Sequence, residues 1–308
     1  MIAARQALEY AARALGFSAV GVAPADADQG DALAAWLRAG CHADMAWLER
    51  HLPARTNPQL VLPGVRRIAM LTYEYPRRDA RRAHGSVARY AQGEDYHKLL
   101  ADKLADLDET LTFYGGQQRC FTDSGPVSER FFAQLAGLGW RGRNSLLVRP
   151  RGGSFCCLAC ILTTLELPVD SPMPSRCGSC HSCEQACPTG ALNDGMCDAR
   201  KCLAYWTIEA HSEPPPEIRA AQGDHLYGCD ACQEVCPWNS LPPPRAVDPH
   251  LLMPAPLAVA PPEALAELSE EEFAGFFHGS PVRRIGAPHL RSNIGGLSPS
   301  PLNTTPPP

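Results

Sequence analysis

Nine of the chain's fourteen cysteines fall between Cys177 and Cys236, and no other feature of the 308-residue sequence restricts its fold so strongly. Thiols at that density mean either disulfides in an exported protein or metal thiolates in a reducing compartment. The N-terminal stretch MIAARQALEYAARALG interrupts its apolar pattern with Arg5, Glu9 and Arg13, so it reads as an amphipathic helix and lacks the continuous core of a signal peptide. The longest apolar run, Phe155 to Leu162, is too short to span a bilayer. A cytoplasmic location is expected, and with it a metal reading of the cysteines.

The spacing names the metal. CGSCHSCEQACP, from Cys177 to Pro188, is CxxCxxCxxxCP, the bacterial ferredoxin arrangement for [4Fe-4S] ligation, in which the fourth thiolate serves the other cluster of a pair. CDACQEVCP, from Cys229 to Pro237, repeats it with the first cysteine missing, because Leu226 stands in that place. Two clusters are therefore expected. The first takes Cys177, Cys180, Cys183 and the distant Cys236. The second takes Cys187, Cys229 and Cys232 and must borrow a ligand from Cys197 or Cys202. Cys202 opens the helical-looking stretch CLAYWTIEAH, whereas Cys197 sits in the turn-like NDGMCD, so Cys202 is the choice. Structural zinc also uses CxxC pairs, but it closes on four local ligands and lacks the threefold repeat followed by CP. Cys41, Cys120, Cys156 and Cys197 read as small, buried or semi-buried fillers, and Cys157 with Cys160 has no second pair nearby.

Ahead of the cysteines lie about 170 residues, the size of a whole domain. Residues 2–15 read as a helix, 17–23 as a strand, 31–50 as helical and 65–75 as a strand. Tyr96, Leu100, Leu104, Leu107, Leu111 and Tyr114 recur at helical spacing up to Gly115, and RCFTDSGP reads as a strand entering a turn. A helix over 129–140 and strand-like runs through NSLLVRP and GGSFCCLACILTT complete the segment. The alternation predicts a mixed helix-and-strand, α/β (α+β) domain over 1–170, then a ferredoxin-like two-cluster domain over 171–245. A proline-rich segment with one acidic helix, PEALAELSEEEFAGFF, follows over 246–295, with a disordered tail over 296–308. Net charge is −5, yet nine arginines lie between residues 50 and 90 against Glu74 and Asp79. Arg283, Arg284 and Arg291 face no acid in their own stretch, so a local basic face for a phosphate backbone is available.

RYAQGEDYHKLL, FTDSGPVSER, AGLGWRGRNSLL, DARKCLAYWTIE, YGCDACQEVCPWN and HGSPVRRIGAPHLRSN, together with the cysteine motif, cover nearly the whole chain. In that order they resemble the epoxyqueuosine reductase family. The resemblance implies a cytoplasmic, monomeric enzyme that reduces epoxyqueuosine to queuosine at the tRNA wobble position. It implies a cobalamin held between the α/β domain and the cluster domain, two [4Fe-4S] clusters, and an external electron donor. Asp123 in FTDSGP matches the family's catalytic acid, which would have to be shielded to hold a proton at neutral pH. Read without the resemblance, Asp123 or Ser124 would suit a helix N-cap.

The resemblance also places Arg55, Asp123, Leu147, Leu158, Ala204, Cys229 and Asp230 at the cobalamin, with Ala204 replacing the usual serine. It puts Glu209, Arg283, Arg284 and Arg291 on the tRNA anticodon arm, and Tyr96 and His97 at the active-site rim. CCLACI at 156–161 departs from the family's FFLGEI, so Cys160 stands for an acid. The helical-repeat extension that some members carry is not expected here. Two other readings compete: a cobalamin-dependent reductive dehalogenase, and a two-cluster electron carrier without chemistry of its own. The first would bring an export signal, and the second would leave the N-terminal domain unexplained.

Overall fold

The computed structural model describes residues 1–77, 85–241, 247–252 and 254–298. Its centre is a four-stranded sheet of β1 (Ala19–Pro24), β2 (Arg67–Glu74), β3 (Gln118–Phe121) and β4 (Cys156–Thr163), in the order β1-β2-β4-β3. Every pairing in it is antiparallel, so the mixed class expected from the alternating pattern takes its α+β form. β2 and β4 are buried along nearly their whole length. Their near-continuous apolar sequences follow, since both faces of the sheet are covered.

Helix α1 (Ile2–Ala14) and helix α2 (Tyr96–Thr112) cover one face. Leu100, Leu104, Leu107 and Leu111 recur on one side of α2 and are each 2 % exposed or less. Burying each contributes about 1.5–3 kcal/mol. Asp95 caps α2 by accepting the His97 N–H at 3.0 Å, and Gly115 ends it in the left-handed region at φ +86°. Helix α3 (Glu129–Leu135) covers the other face through Phe132 and Ala133.

Several predicted elements come out shorter. The helical stretch over 31–50 divides into Ala32–Arg38 and Trp47–Arg50, with Gly40 at φ +68° between them. The helix expected over 129–140 stops at Leu135, and Gly137 turns the chain at φ +69°. The acidic helix candidate is two helices, Pro262–Ala266 and α6 (Glu270–Phe276). Ser269 and Glu272 form a capping box that restarts the chain as α6.

Residues 166–177 form no helix or strand, and Asp170 ties them to β1 through the Val22 N–H at 2.8 Å and to Arg5 at 2.8 Å. Beyond them come α4 (Leu203–Ile208), β5 (His225–Tyr227) and α5 (Ala231–Glu234), all ahead of α6 in the chain. β5 pairs in parallel with Ser86–Val87 of the N-terminal part, so the two parts of the chain interlock. Leu226, the residue in the missing cysteine's place, is 1 % exposed and packs with Phe273, Phe277 and Leu290. The last helix, α7 (Gly286–Gly295), carries a buried Asn293 that donates to the carbonyls of Thr207 and Leu226.

The first residues of the tail expected from 296 onward are packed. Leu297 packs on this core and the Ser298 N–H donates to Gly223, while 299–308 lie outside the described residues. Of the arginine-rich stretch, Arg66 and Arg67 pair with Glu166, and Arg89 pairs with Glu234 at 2.7 Å. Acids distant in sequence thus neutralise much of that face; Arg78, Arg81 and Arg82 lie outside the described residues.

Candidate active site

A cavity of about 430 Å³ lies between the sheet domain and the cysteine-rich segment. Asp123, Leu147 and Leu158 line it from the first, and Ala204, Cys229 and Asp230 from the second. Six of the seven residues expected at the cobalamin therefore share one cavity. Arg55 does not line it. Its guanidinium lies over the Trp47 ring and donates to the Val127 carbonyl at 3.0 Å, behind the segment that carries Asp123.

The eight proposed cluster ligands separate into two groups. Cys177, Cys180, Cys183 and Cys236 line a small pocket of their own, with Pro237 and Trp238. Cys187, Cys202, Cys229 and Cys232 line the large cavity, so the second group faces the same space as Asp123. Cys202 is the N-cap residue of α4, as the helical reading of CLAYWTIEAH implied. Cys197 also lines the cavity, its thiol in hydrogen-bond contact with Cys202. Cys156 and Cys157 border the cavity at the start of β4, while Cys160 is buried among Met70, Phe132 and Leu162. Burial pushes the Cys160 thiol upward, which keeps it a neutral core side chain.

Asp123 lies at the cavity wall. Its side chain is 58 % exposed, facing the cavity, and it sits in the left-handed region at φ +58°, between Thr122 and Ser124, whose carbonyl and N–H approach at 2.6 Å. Its Oδ2 accepts from the Tyr96 hydroxyl at 3.1 Å and meets His97 Nε2 at 3.3 Å. The His97 bond, against the opposing effect of burial, holds the carboxyl below the usual carboxylate range. On His97, burial opposes the charge, but hydrogen bonds to Asp123 and to Asp95 at 2.7 Å outweigh it and raise the imidazole to about 9. Near neutral pH the proton of this group thus sits on His97, between two carboxylates, and the shielding expected of Asp123 would have to come from what fills the cavity.

Nor is Asp123 or Ser124 a helix cap. α3 begins five residues beyond Ser124, with Ser128 at its N-cap position. Glu129 instead reaches back, and its Oε1 accepts the Asp123 N–H at 2.9 Å. Burial, with the Asp123 charge adding to it, raises the Glu129 carboxyl to about 8. Asp95, Glu129 and Arg130 join this group although sequence reasoning passed over them. Asp95 opens DYHK and Glu129 ends VSE, thirty-four residues apart, so only the fold shows that they converge.

At the opposite rim, Glu209 and Arg284 both line the cavity and form an ion pair with each other. Arg283 is exposed. Arg291 is directed elsewhere, donating to the carbonyls of Ala266 at 3.0 Å and Leu268 at 2.6 Å, where it closes the break between the two C-terminal helices. Among the described residues, no helix is long and apolar enough to cross a membrane.

Comparison with known proteins agrees with this arrangement. Residues 176–239 match the 4Fe-4S double cluster binding domain, and residues 55–124 match epoxyqueuosine reductase QueG. The zinc alternative falls with the first match. Epoxyqueuosine reductase of Vibrio cholerae is 40% identical over 297 residues, covering 91% of this chain and 79% of the relative. The Gloeobacter violaceus enzyme is 41% identical, covering 92% of each. Among solved structures, a Bacillus subtilis epoxyqueuosine reductase with its catalytic loop swung out of the active site aligns with a TM-score of 0.84 at 29% identity, over 94% of this chain and 79% of that one. An epoxyqueuosine reductase bound to an epoxyqueuosine-modified tRNA stem loop aligns with a TM-score of 0.83 at the same identity and coverage. With two cysteine quartets, an Asp123 facing one of them, and relatives of this similarity along nine-tenths of its length, the chain belongs to the epoxyqueuosine reductase family.

Proposed function

We propose that this protein reduces epoxyqueuosine in tRNA to queuosine, with cobalamin in the large cavity and electrons supplied through two [4Fe-4S] clusters. The observation that carries the reading is the single cavity shared by Asp123 and the thiol quartet Cys187, Cys202, Cys229 and Cys232. A carrier of electrons alone has no use for an acid–base group facing its cluster. The proposed ligands are Cys177, Cys180, Cys183 and Cys236 for the first cluster and the quartet just named for the second.

Removing the epoxide oxygen as water consumes two electrons and two protons and leaves a carbon–carbon double bond. Cobalamin, when bound, supplies the reductive chemistry that no side chain can imitate. Leu147, Leu158 and Ala204 would border its ring, and Asp230, whose carboxyl burial raises to about 6, would meet its polar periphery. The chain's own contribution is the proton. His97 holds it at Nε2, Asp95 fixes the ring from the Nδ1 side, and Asp123 Oδ2 stands 3.3 Å from that nitrogen, facing the cavity. Asp123 thus takes the proton from His97 and passes it to the leaving oxygen, and the second proton comes from solvent. Tyr96, its phenol pushed upward by burial, stays a hydrogen-bond donor that orients the carboxyl.

Glu209, Arg283 and Arg284 would meet the anticodon arm at the open rim, and the enzyme would act as a cytoplasmic monomer served by an external reductant. The test is direct. Anaerobically reconstituted protein is mixed with cobalamin and followed by its optical spectrum, then given a reductant and an anticodon stem-loop carrying epoxyqueuosine. Corrin uptake and queuosine in the nucleoside digest are expected. Iron without corrin uptake, or corrin uptake without queuosine, would overturn the reading.

A further inference from the structure

The hairpin that brings Leu147 to the cavity has a second side. Trp140 and Arg141 pair with Val148 and Leu147, and the turn between them is closed by the Gly142 N–H to the Leu146 carbonyl at 2.8 Å. The pairing is close: a Cβ at Gly139 would stand 2.2 Å from the Val148 carbonyl oxygen, so this position before the tryptophan requires glycine. The hairpin therefore fixes where its side chains point.

Two of those side chains carry N–H groups whose partners lie outside ordinary protein hydrogen bonding. Trp140 is fully buried, and its Nε1–H donates to Cys177 Sγ at 3.3 Å across thirty-seven residues of sequence. Its ring meets Trp238, two residues past Cys236, edge-on at 4.9 Å. Asn144 is 5 % exposed, and its Oδ1 accepts the Leu146 N–H at 3.2 Å within the turn. Its Nδ2 is buried with no partner. Asn144 borders both the pocket enclosed by Cys177, Cys180, Cys183 and Cys236 and the large cavity. A buried amide donor left without an acceptor is costly, so a donor held there by a tight turn points to an acceptor supplied by what the pocket holds.

We propose that Trp140 and Asn144 set the reduction potential of the first cluster by donating N–H hydrogen bonds to its sulfurs. The inference rests on the two-cluster reading of residues 176–239. Reduction adds an electron to a unit that already carries thiolate charge. Donors aimed at its sulfurs stabilise the more negative state and raise the potential. The sheet domain would thereby adjust a cluster whose ligands all belong to the cysteine-rich segment, and would fix the step at which an electron enters from the reductant.

Redox titration of the reconstituted protein, followed by the electron paramagnetic resonance of the reduced clusters, tests this without turnover. Cys183→Ser first identifies which signal belongs to the first cluster. Trp140→Phe keeps the ring contact with Trp238 and loses the N–H. The expected result is unchanged iron content, a first-cluster midpoint shifted to more negative potential, and a second-cluster midpoint left in place. Asn144→Leu, which removes the amide without adding charge, should shift the same midpoint in the same direction. If Trp140→Phe fails to assemble its clusters, Asn144→Leu alone decides. Unmoved midpoints in a variant with full iron overturn the proposal, as does a shift confined to the second cluster. A wild-type protein with only one cluster signal would instead sink the two-cluster reading on which the inference stands.

Discussion

The two walls of the large cavity are built in opposite ways. The cluster wall is a chemical pattern: Cys187, Cys229 and Cys232 lie in repeated motifs, and the spacing of thiols specifies the metal before any fold is known. The acid–base wall is a convergence: Asp95 and His97 come from the start of α2, Asp123 from the turn after β3 and Glu129 from the first residue of α3. No spacing announces that group, and each member alone is an ordinary charged residue. In the proposed function, electrons arrive from the wall written in motifs, and protons from the wall assembled by packing. If the walls are separate devices, damage to one should leave the observable of the other intact.

The largest effect is expected on the cluster wall. Cys202→Ser removes the one proposed second-cluster ligand outside the two motifs. Reconstituted protein should hold about half the wild-type iron, with the first-cluster signal kept and queuosine formation lost. Iron analysis with electron paramagnetic resonance checks this, and full iron content would return the ligand role to Cys197. Adding Leu226→Cys, which completes the repeated motif on paper, should rescue nothing. Leu226 faces the Phe273 and Leu290 core, away from the cavity, so the double variant only loses about 1–3 kcal/mol of stability in thermal denaturation.

The matching experiment on the opposite wall is Asp123→Asn. Both clusters and corrin uptake should persist while turnover falls by roughly 10²–10⁴-fold, the usual worth of a positioned acid. Single-turnover assays on the stem-loop measure it, and a wild-type rate would remove Asp123 from proton delivery. A smaller and more specific effect is expected from pH. His97 is raised to about 9 in the folded protein from an ordinary 6.5, so its charge supports the Asp95–His97–Asp123 arrangement fully below about pH 6.5. That support is lost as pH rises through about 9. The rate should fall over this alkaline limb in the wild type, and His97→Gln should be slower throughout with the limb gone. A limb that persists in the variant assigns the titration to another group.

How much of this was legible in the sequence follows the same division. The grouping of the thiols around two pockets and the long helix through Leu100, Leu104, Leu107 and Leu111 could be read because spacing carries them. The state of Asp123 could not. An isolated aspartate gives up its proton unless buried, and the sequence suggested only burial as the device. The fold adds a histidine clamped between Asp95 and Asp123, a neighbour that no spacing announces. Helix ends were misjudged for a related reason: helical periodicity runs on through Gly40, Gly137 and Ser269, where left-handed turns or a capping box stop the chain. The pairing of Arg284 with Glu209 crosses seventy-five residues and could not be seen in a stretch that held no acid of its own.

The rim belongs to neither wall, and it yields the smallest expected effect. Arg283 is exposed, whereas Arg291 is held by the carbonyls of Ala266 and Leu268. If both met phosphate, either change would weaken tRNA binding alike. From the positions here they should differ. Arg283→Gln should lower the slope of log affinity against log salt by about 1, the share of a single phosphate contact, with clusters and stability untouched. Arg291→Gln should leave that slope unchanged and instead cost about 1 kcal/mol of stability, because the carbonyls of Ala266 and Leu268 lose their donor. Stem-loop binding measured across a salt series, beside thermal denaturation, separates the two. A slope that moves with Arg291 and not with Arg283 would put the tRNA on the outer face of α7 rather than at the mouth of the cavity, and would detach substrate docking from both walls.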